Sequence, residues 1–220
     1  IRASNPCSEY MFLDDTACNL ASINLIKFRN KDGSFKIDEF IHTVRLWTMV
    51  LEISVLMAQF PSKEIAIRSY EYRTLGLGYA NIGALLMNMG FSYDSEQGRS
   101  MCAAITSILT GVAYATSAEM AKNLGPFHGY KRNADNMLRV IANHRNASYG
   151  SKEGYVGLDV KPIPLDQKNC PDTELIERAR LAWDLAFDKG KKNGFRNAQV
   201  SVLAPTGTIG LVMDCDTTGI

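Results

Sequence analysis

The sequence predicts a helix-rich α/β domain, with strands of the kind that line a barrel. Three observations carry this. Five stretches carry helix start and stop signals, two short stretches read as strands, and the first strand has polar residues on both faces. The chain has 220 residues, 46% of them hydrophobic and 21% charged. That composition suits one large folded unit with a sizeable core. Lys and Arg total 24 and Asp and Glu 23, a net charge of +1. So balanced a charge gives no electrostatic case for a nucleic-acid or membrane-surface partner. No apolar run in the sequence approaches the roughly 20 residues that span a bilayer. The first residue is Ile1 and the last segment does not read as a tail, so residues 1–220 are expected to continue on both sides as part of one domain.

The first strand is placed within Ala17–Ile26. Cys18, Leu20, Ser22 and Asn24 share one face, and Asn19, Ala21, Ile23 and Leu25 the other, because strand side chains alternate. A helix follows, capped by Asp38 and running to about Phe60, where Pro61 stops it. Arg73–Gly83 is expected to open a second helix ending near Gly90, with Gly76 and Gly78 as small residues for close packing. It lacks the dinucleotide fingerprint, because Asn81 stands where that motif needs glycine. Asp94 or Ser95 caps a third helix to about Asn123. Asn133 caps a shorter one to about His144, and residues 145–171 are irregular. Asp172 caps the last long helix, which ends at Gly194. Residues 197–203 are strand-like, and Ala204–Gly210 reads as a loop.

Two stretches carry candidate chemistry. In Asn5-Pro6-Cys7-Ser8-Glu9 an amide, a thiol and a carboxylate occupy alternate positions around a proline. If the segment is extended or tightly looped, Asn5, Cys7 and Glu9 can converge on one ligand. The plainer alternative is a buried cysteine in an Asn-Pro turn. In Ala204-Pro205-Thr206-Gly207-Thr208-Ile209-Gly210, two hydroxyls flank a glycine. Backbone N–H groups and hydroxyls in such a loop collect anions, though an ordinary turn after a strand would look the same. The five cysteines are Cys7, Cys18, Cys102, Cys170 and Cys215, with no Cys-x-x-Cys, and the three histidines have no ligand spacing. Neither a zinc site nor a secreted disulfide framework fits, and a cytoplasmic protein with reduced thiols is the expectation.

Together, Asn-Pro-Cys-Ser-Glu, the following Cys18-Asn19-Leu20-Ala21-Ser22-Ile23-Asn24-Leu25 and the later Ala-Pro-Thr-Gly-Thr-Ile resemble the catalytic barrel of ribonucleotide reductases. The Arg73–Leu86 segment resembles it too, as does Gly125-Pro126-Phe127 with the following Met137-Leu138-Arg139. The likeness is greatest to the class II, adenosylcobalamin-dependent branch, because of Pro6 and because Cys18 lies eleven positions after Cys7. The resemblance implies a ten-stranded α/β barrel with a central finger loop. It implies that Cys7 becomes a thiyl radical, that Glu9 is the base for the 3′-hydroxyl, and that Asn5 orients the substrate hydroxyls. Cys18 would be one of two reducing thiols, its partner lying upstream of Ile1. Pro205, Thr206, Gly207, Thr208 and Ile209 would hold the substrate phosphates. Implied partners are a ribonucleoside di- or triphosphate and a thioredoxin-like reductant, with a deoxynucleotide effector site outside 1–220. Rival readings are a glycyl-radical enzyme on a related barrel and an inactive piece of a reductase.

Overall fold

The structure, a computed structural model, describes residues 1–220. Its sheet is small. Strand β1 (Asn19–Asn24) pairs in parallel with β2 (Leu75–Ala80), from Asn19 opposite Leu75 to Asn24 opposite Ala80. A third segment extends the sheet beyond β2: the N–H groups of Leu75 and Leu77 donate to the carbonyls of Gln199 and Val200, and Val202 donates back to Leu77. The strand expected at 197–203 is therefore present as a paired segment, bridged to β2 at Leu77 and Ser201. Ten strands are not formed by these residues.

Parallel neighbours need a crossover between them. Here it is α1 (Ile37–Met57) and α2 (Lys63–Tyr72). Lys36 stands at the α1 cap, so Asp38 is not the cap as expected; it lies with Glu39 in the first turn, where the helix dipole favours acid. Helix α2 was not expected at all. Pro61 ends one helix, and Ser62 starts the next by accepting the Ile65 N–H at 3.2 Å.

The helix expected from Arg73 is a strand instead. Leu75, Leu77 and Tyr79 face the core at period two, and only from Ile82 does the chain turn helical, as α3 (Ile82–Asn88). The switch happens at Asn81, which adopts a left-handed conformation with φ 73°.

Helix α4 (Glu96–Leu124) starts at Ser95, which decides between the two expected caps Asp94 and Ser95, and α6 (Thr173–Asn193) starts at Asp172 as expected. Buried Ala104, Ala115 and Ala118 of α4 and Ala179, Ala182 and Ala186 of α6 let the two helices pack closely along their lengths. Helix α5 (Tyr130–Ser148) starts before Asn133 and ends after His144. Asn133 does not cap it, because its amide donates backward to the Gly129 carbonyl at 2.8 Å. The irregular stretch accordingly begins at Tyr149. The last helix, α7 (Gly207–Val212), replaces the second half of the expected 204–210 loop.

Helices α1 and α4 are long and apolar enough to cross a membrane by length and composition, which the sequence reading did not expect. Most of α4 is core, and α1 packs Phe40, Val44, Leu51 and Val55 inward. The main core joins the sheet to α1, α3, α4 and α6.

Candidate active site

Alternation divides the sheet into two faces. Ala21, Ile23, Leu75, Leu77 and Tyr79 turn toward the helices and are buried in the core. Leu20, Ser22 and Asn24 turn the other way, in register with Gly76, Gly78 and Ala80. Cys18, one of the candidate residues, shares this second face. Leu20 on it is 51% exposed.

Cys18 lies at the head of β1, half-buried against this face. Gly76 makes room for it: a Cβ there would overlap the Cys18 sulfur and stand 2.8 Å from Leu20 Cδ2 and 3.0 Å from Val202 Cγ2. Gly78 likewise admits the Val202 backbone. These glycines serve strand packing around a thiol and a neighbouring chain, not the helix packing expected for them. Burial pushes the Cys18 thiol up to about 12, with the nearby Glu9 charge acting in the same direction. Cys18 is therefore a neutral thiol at physiological pH.

The Asn5–Glu9 segment is a tight turn rather than an extended run. Ser8 N–H donates to the Asn5 carbonyl at 3.0 Å, and Ser8 has φ 62°. Cys7 is exposed within this turn. Asn5 is half-buried, its Oδ1 accepting the Tyr10 N–H at 3.0 Å. Glu9 is half-buried, and its Oε2 is enclosed with no hydrogen-bond partner. An acceptor so placed is ready for a donor that the chain does not supply.

Residues that sequence reasoning missed hold this turn. The Tyr10 hydroxyl lies 2.9 Å from Thr16 Oγ1 and 3.0 Å from Thr74 Oγ1. Thr74 donates to the Ala17 carbonyl at 2.6 Å, and Ala17 N–H donates to Ser69 Oγ at 2.9 Å. Tyr10 thus ties the loop before Cys18 to the start of β2, and burial pushes its hydroxyl pKa up. No local pattern signals this, because Thr74 is distant in sequence.

The second candidate stretch lies beyond the 199–202 segment. Thr206 is buried and left-handed (φ 54°), and its hydroxyl caps nothing and has no partner. The first N–H groups of α7 have no acceptor within a helix. A Cβ on Gly207 would meet nothing within 4 Å, so the space above it is open. Pro205, Thr208 and Ile209 are exposed. The Cys18 sulfur and Val202 Cγ2 both border Gly76, and the Glu9 charge acts on the Cys18 thiol. No hydrogen bond links Asn5–Glu9 directly to Pro205–Ile209, and all five cysteines are free thiols.

A family model described as "Ribonucleotide reductase, barrel domain" matches residues 1–220. The chain belongs to the ribonucleotide reductase barrel-domain family. Among curated relatives of this reductase chain is the "Vitamin B12-dependent ribonucleotide reductase" of Agrobacterium fabrum, 65% identical over 100% of the chain and 17% of the relative. The Bradyrhizobium diazoefficiens protein of the same name is 64% identical over 100% of the chain and 18% of its own length. The "Ribonucleoside-diphosphate reductase subunit alpha" of Chlamydia pneumoniae is 25% identical over 95% of the chain and 19% of its own length. The reductase barrel chain thus spans about a fifth of the relatives it matches.

The crowding at Gly76 yields a first expected result. At pH 8 Cys18 should react with iodoacetamide far more slowly than Cys7, and its rate should rise about tenfold per pH unit toward pH 12 as thiolate forms. Gly76→Ala should displace the thiol, speed its labelling and destabilise the protein by about 1–3 kcal/mol. Residue-resolved mass spectrometry and denaturant unfolding check both; equal labelling of the two cysteines at pH 8 would contradict the burial argument.

Proposed function

We propose that the full-length protein reduces ribonucleotides to 2′-deoxyribonucleotides through a thiyl radical on Cys7, in the cytoplasm, and that residues 1–220 are part of its catalytic barrel. The finger loop is Asn5–Glu9, and the remaining strands of a ten-stranded barrel come from the rest of the protein. The observation that carries this reading is the seating of a neutral Cys18 thiol beside Val202 over Gly76, within the influence of the Glu9 charge.

Each residue has a task that its chemistry suits. The Cys7 radical takes the substrate 3′-hydrogen and later returns it, leaving the thiyl radical ready for the next cycle. Glu9 accepts the 3′-hydroxyl proton, a carboxylate being able to move one near neutral pH. Asn5 orients the hydroxyls through its amide N–H₂, because its Oδ1 already accepts from Tyr10. The 2′-hydroxyl leaves as water, which consumes two electrons. Cys18 and a second thiol, from outside residues 1–220, supply them by closing a disulfide, and a thioredoxin-like dithiol reopens it. The substrate phosphates, two or three, sit at Pro205–Ile209 against the free N–H groups and the Thr206 hydroxyl.

The group implied here is adenosylcobalamin, which when bound would supply, by homolysis of its cobalt–carbon bond, the radical that takes the hydrogen atom from the Cys7 thiol. This chain fits the receiving end of that chemistry, because Cys7 is exposed within its turn. The much greater identity to proteins named vitamin B12-dependent than to the diphosphate reductase subunit supports this branch. The test is turnover by the full-length protein with and without adenosylcobalamin. Dependence on the cofactor is expected, and full activity without it would refute the class assignment.

A further inference from the structure

One buried polar cluster has no part in the mechanism above. Asn81 is fully buried, left-handed, and placed where β2 gives way to α3. Every polar group it offers toward the C-terminal segment is used. Its N–H donates to the Thr218 carbonyl at 2.8 Å. Its Oδ1 accepts the Thr217 N–H at 3.0 Å and the Thr217 hydroxyl at 3.2 Å. Its Nδ2 donates to Asn24 Oδ1 at 3.0 Å, and Asn24 Nδ2 in turn donates to the Met213 carbonyl at 3.4 Å. Thr217 Oγ1 also accepts the Ala84 N–H at 3.2 Å.

The far side of the same segment grips the loop around Thr206. Gly219 N–H donates to the Pro205 carbonyl at 2.9 Å, and Cys215 N–H to the Gly210 carbonyl at 2.9 Å. The Met213–Gly219 segment is thus a strap. It is fastened at one side to the carboxyl ends of β1 and β2 by Asn24 and Asn81, and at the other to both ends of the Pro205–Gly210 stretch. Thr206 itself makes no side-chain bond that would hold it. Its left-handed conformation depends on what its neighbours fix.

We propose that Asn81 is a positioning residue for the substrate-phosphate loop, acting through Thr217 and Gly219 on Pro205 and Thr206. The inference rests on the phosphate reading of that loop. The side chain, rather than the backbone alone, does the positioning: it bonds the strap and β1 at once, which no aliphatic residue can do. A loop held in place before the substrate arrives binds its phosphates without first paying to order itself, so the expected effect is on affinity.

The test uses the full-length enzyme. Asn81→Gly keeps the left-handed backbone at no steric cost and removes only the side-chain bonds. It should raise KM for cytidine diphosphate about tenfold with kcat within about twofold, the size expected for one well-placed buried hydrogen-bond network. Binding of cytidine, which lacks phosphate, should be unchanged. Thr217→Val, which keeps the side-chain shape, should move KM in the same direction by about threefold. Equal weakening of cytidine and cytidine diphosphate, or a fall in kcat or thermal stability with KM unmoved, would overturn the positioning role. Thr206→Ala separates the two readings. If it weakens cytidine diphosphate while Asn81→Gly and Thr217→Val do not, only this inference fails. If it leaves cytidine diphosphate binding unchanged, the phosphate reading fails as well.

Discussion

Cys7→Ser is expected to abolish turnover of the full-length protein, by about 10⁴-fold or more, while leaving nucleotide binding intact. The reason is bond strength. A thiol S–H is weak enough to give up a hydrogen atom and to take one back, whereas an alcohol O–H is not. Serine is otherwise nearly isosteric. Cys7 is exposed, so the substitution removes no core packing, and the turn is closed by backbone atoms of Asn5 and Ser8 rather than by the thiol. A merely structural role would therefore show almost no effect. The measurement is deoxynucleotide formation with adenosylcobalamin and a dithiol, beside a binding isotherm for the substrate. Cys18→Ser separates the two thiols: it should block multiple turnovers with a thioredoxin-like reductant, because the disulfide cannot form. Unchanged activity in Cys7→Ser would end the thiyl mechanism for this protein.

The two thiols were not equally legible. Cys7 announces itself through its local frame, since Pro6 restricts the backbone and the alternating amide, thiol and carboxylate are visible in five residues. The environment of Cys18 is not local. It depends on a parallel pairing that brings Gly76 beside Cys18, across a crossover of two helices. Gly76 and Gly78 stood out in the sequence but were placed on a helix. Leu75, Leu77 and Tyr79 do alternate, yet glycine is a poor strand former, and the run flows straight into the helical Ile82–Asn88. The change of period sits at Asn81, whose left-handed backbone nothing local demands. Helix boundaries failed for similar reasons. Asn133 has the chemistry of a cap, but its amide found a carbonyl one turn back. Ser95 also donates back, to the Ser92 carbonyl at 2.7 Å, but its hydroxyl oxygen still accepts the Gly98 N–H and caps α4; it was one of two residues read for that cap, and Asp172 was read directly.

Glu52→Ala is expected to cost about 3–5 kcal/mol of folding stability, the largest structural effect in the chain. Glu52 is buried in α1 and is the common acceptor for three groups from distant segments. Arg73 Nε and Arg196 Nε each lie 2.7 Å from its Oε1, and Asn197 Nδ2 lies 2.6 Å from its Oε2. Arg73 is only 2% exposed, and one of its guanidinium nitrogens already lacks a partner. Removing the carboxylate would leave that cation buried without compensation. Burial energy and pairing energy nearly cancel in such a cluster, so its removal as a whole should be milder than its breakage. The double variant Glu52→Leu with Arg73→Met should accordingly recover much of the loss, since Arg196 is partly exposed and can reach solvent. The damage should also reach the active site. Arg73 directly precedes Thr74, which anchors Tyr10 and through it the Asn5–Glu9 turn. Urea unfolding of the full-length variants, read beside the labelling rate of Cys7, checks both consequences. A loss below about 1 kcal/mol for Glu52→Ala would mean that water or rearrangement relieves the stranded arginine, and the cluster could then not be what holds the sheet, α1 and the turn in register.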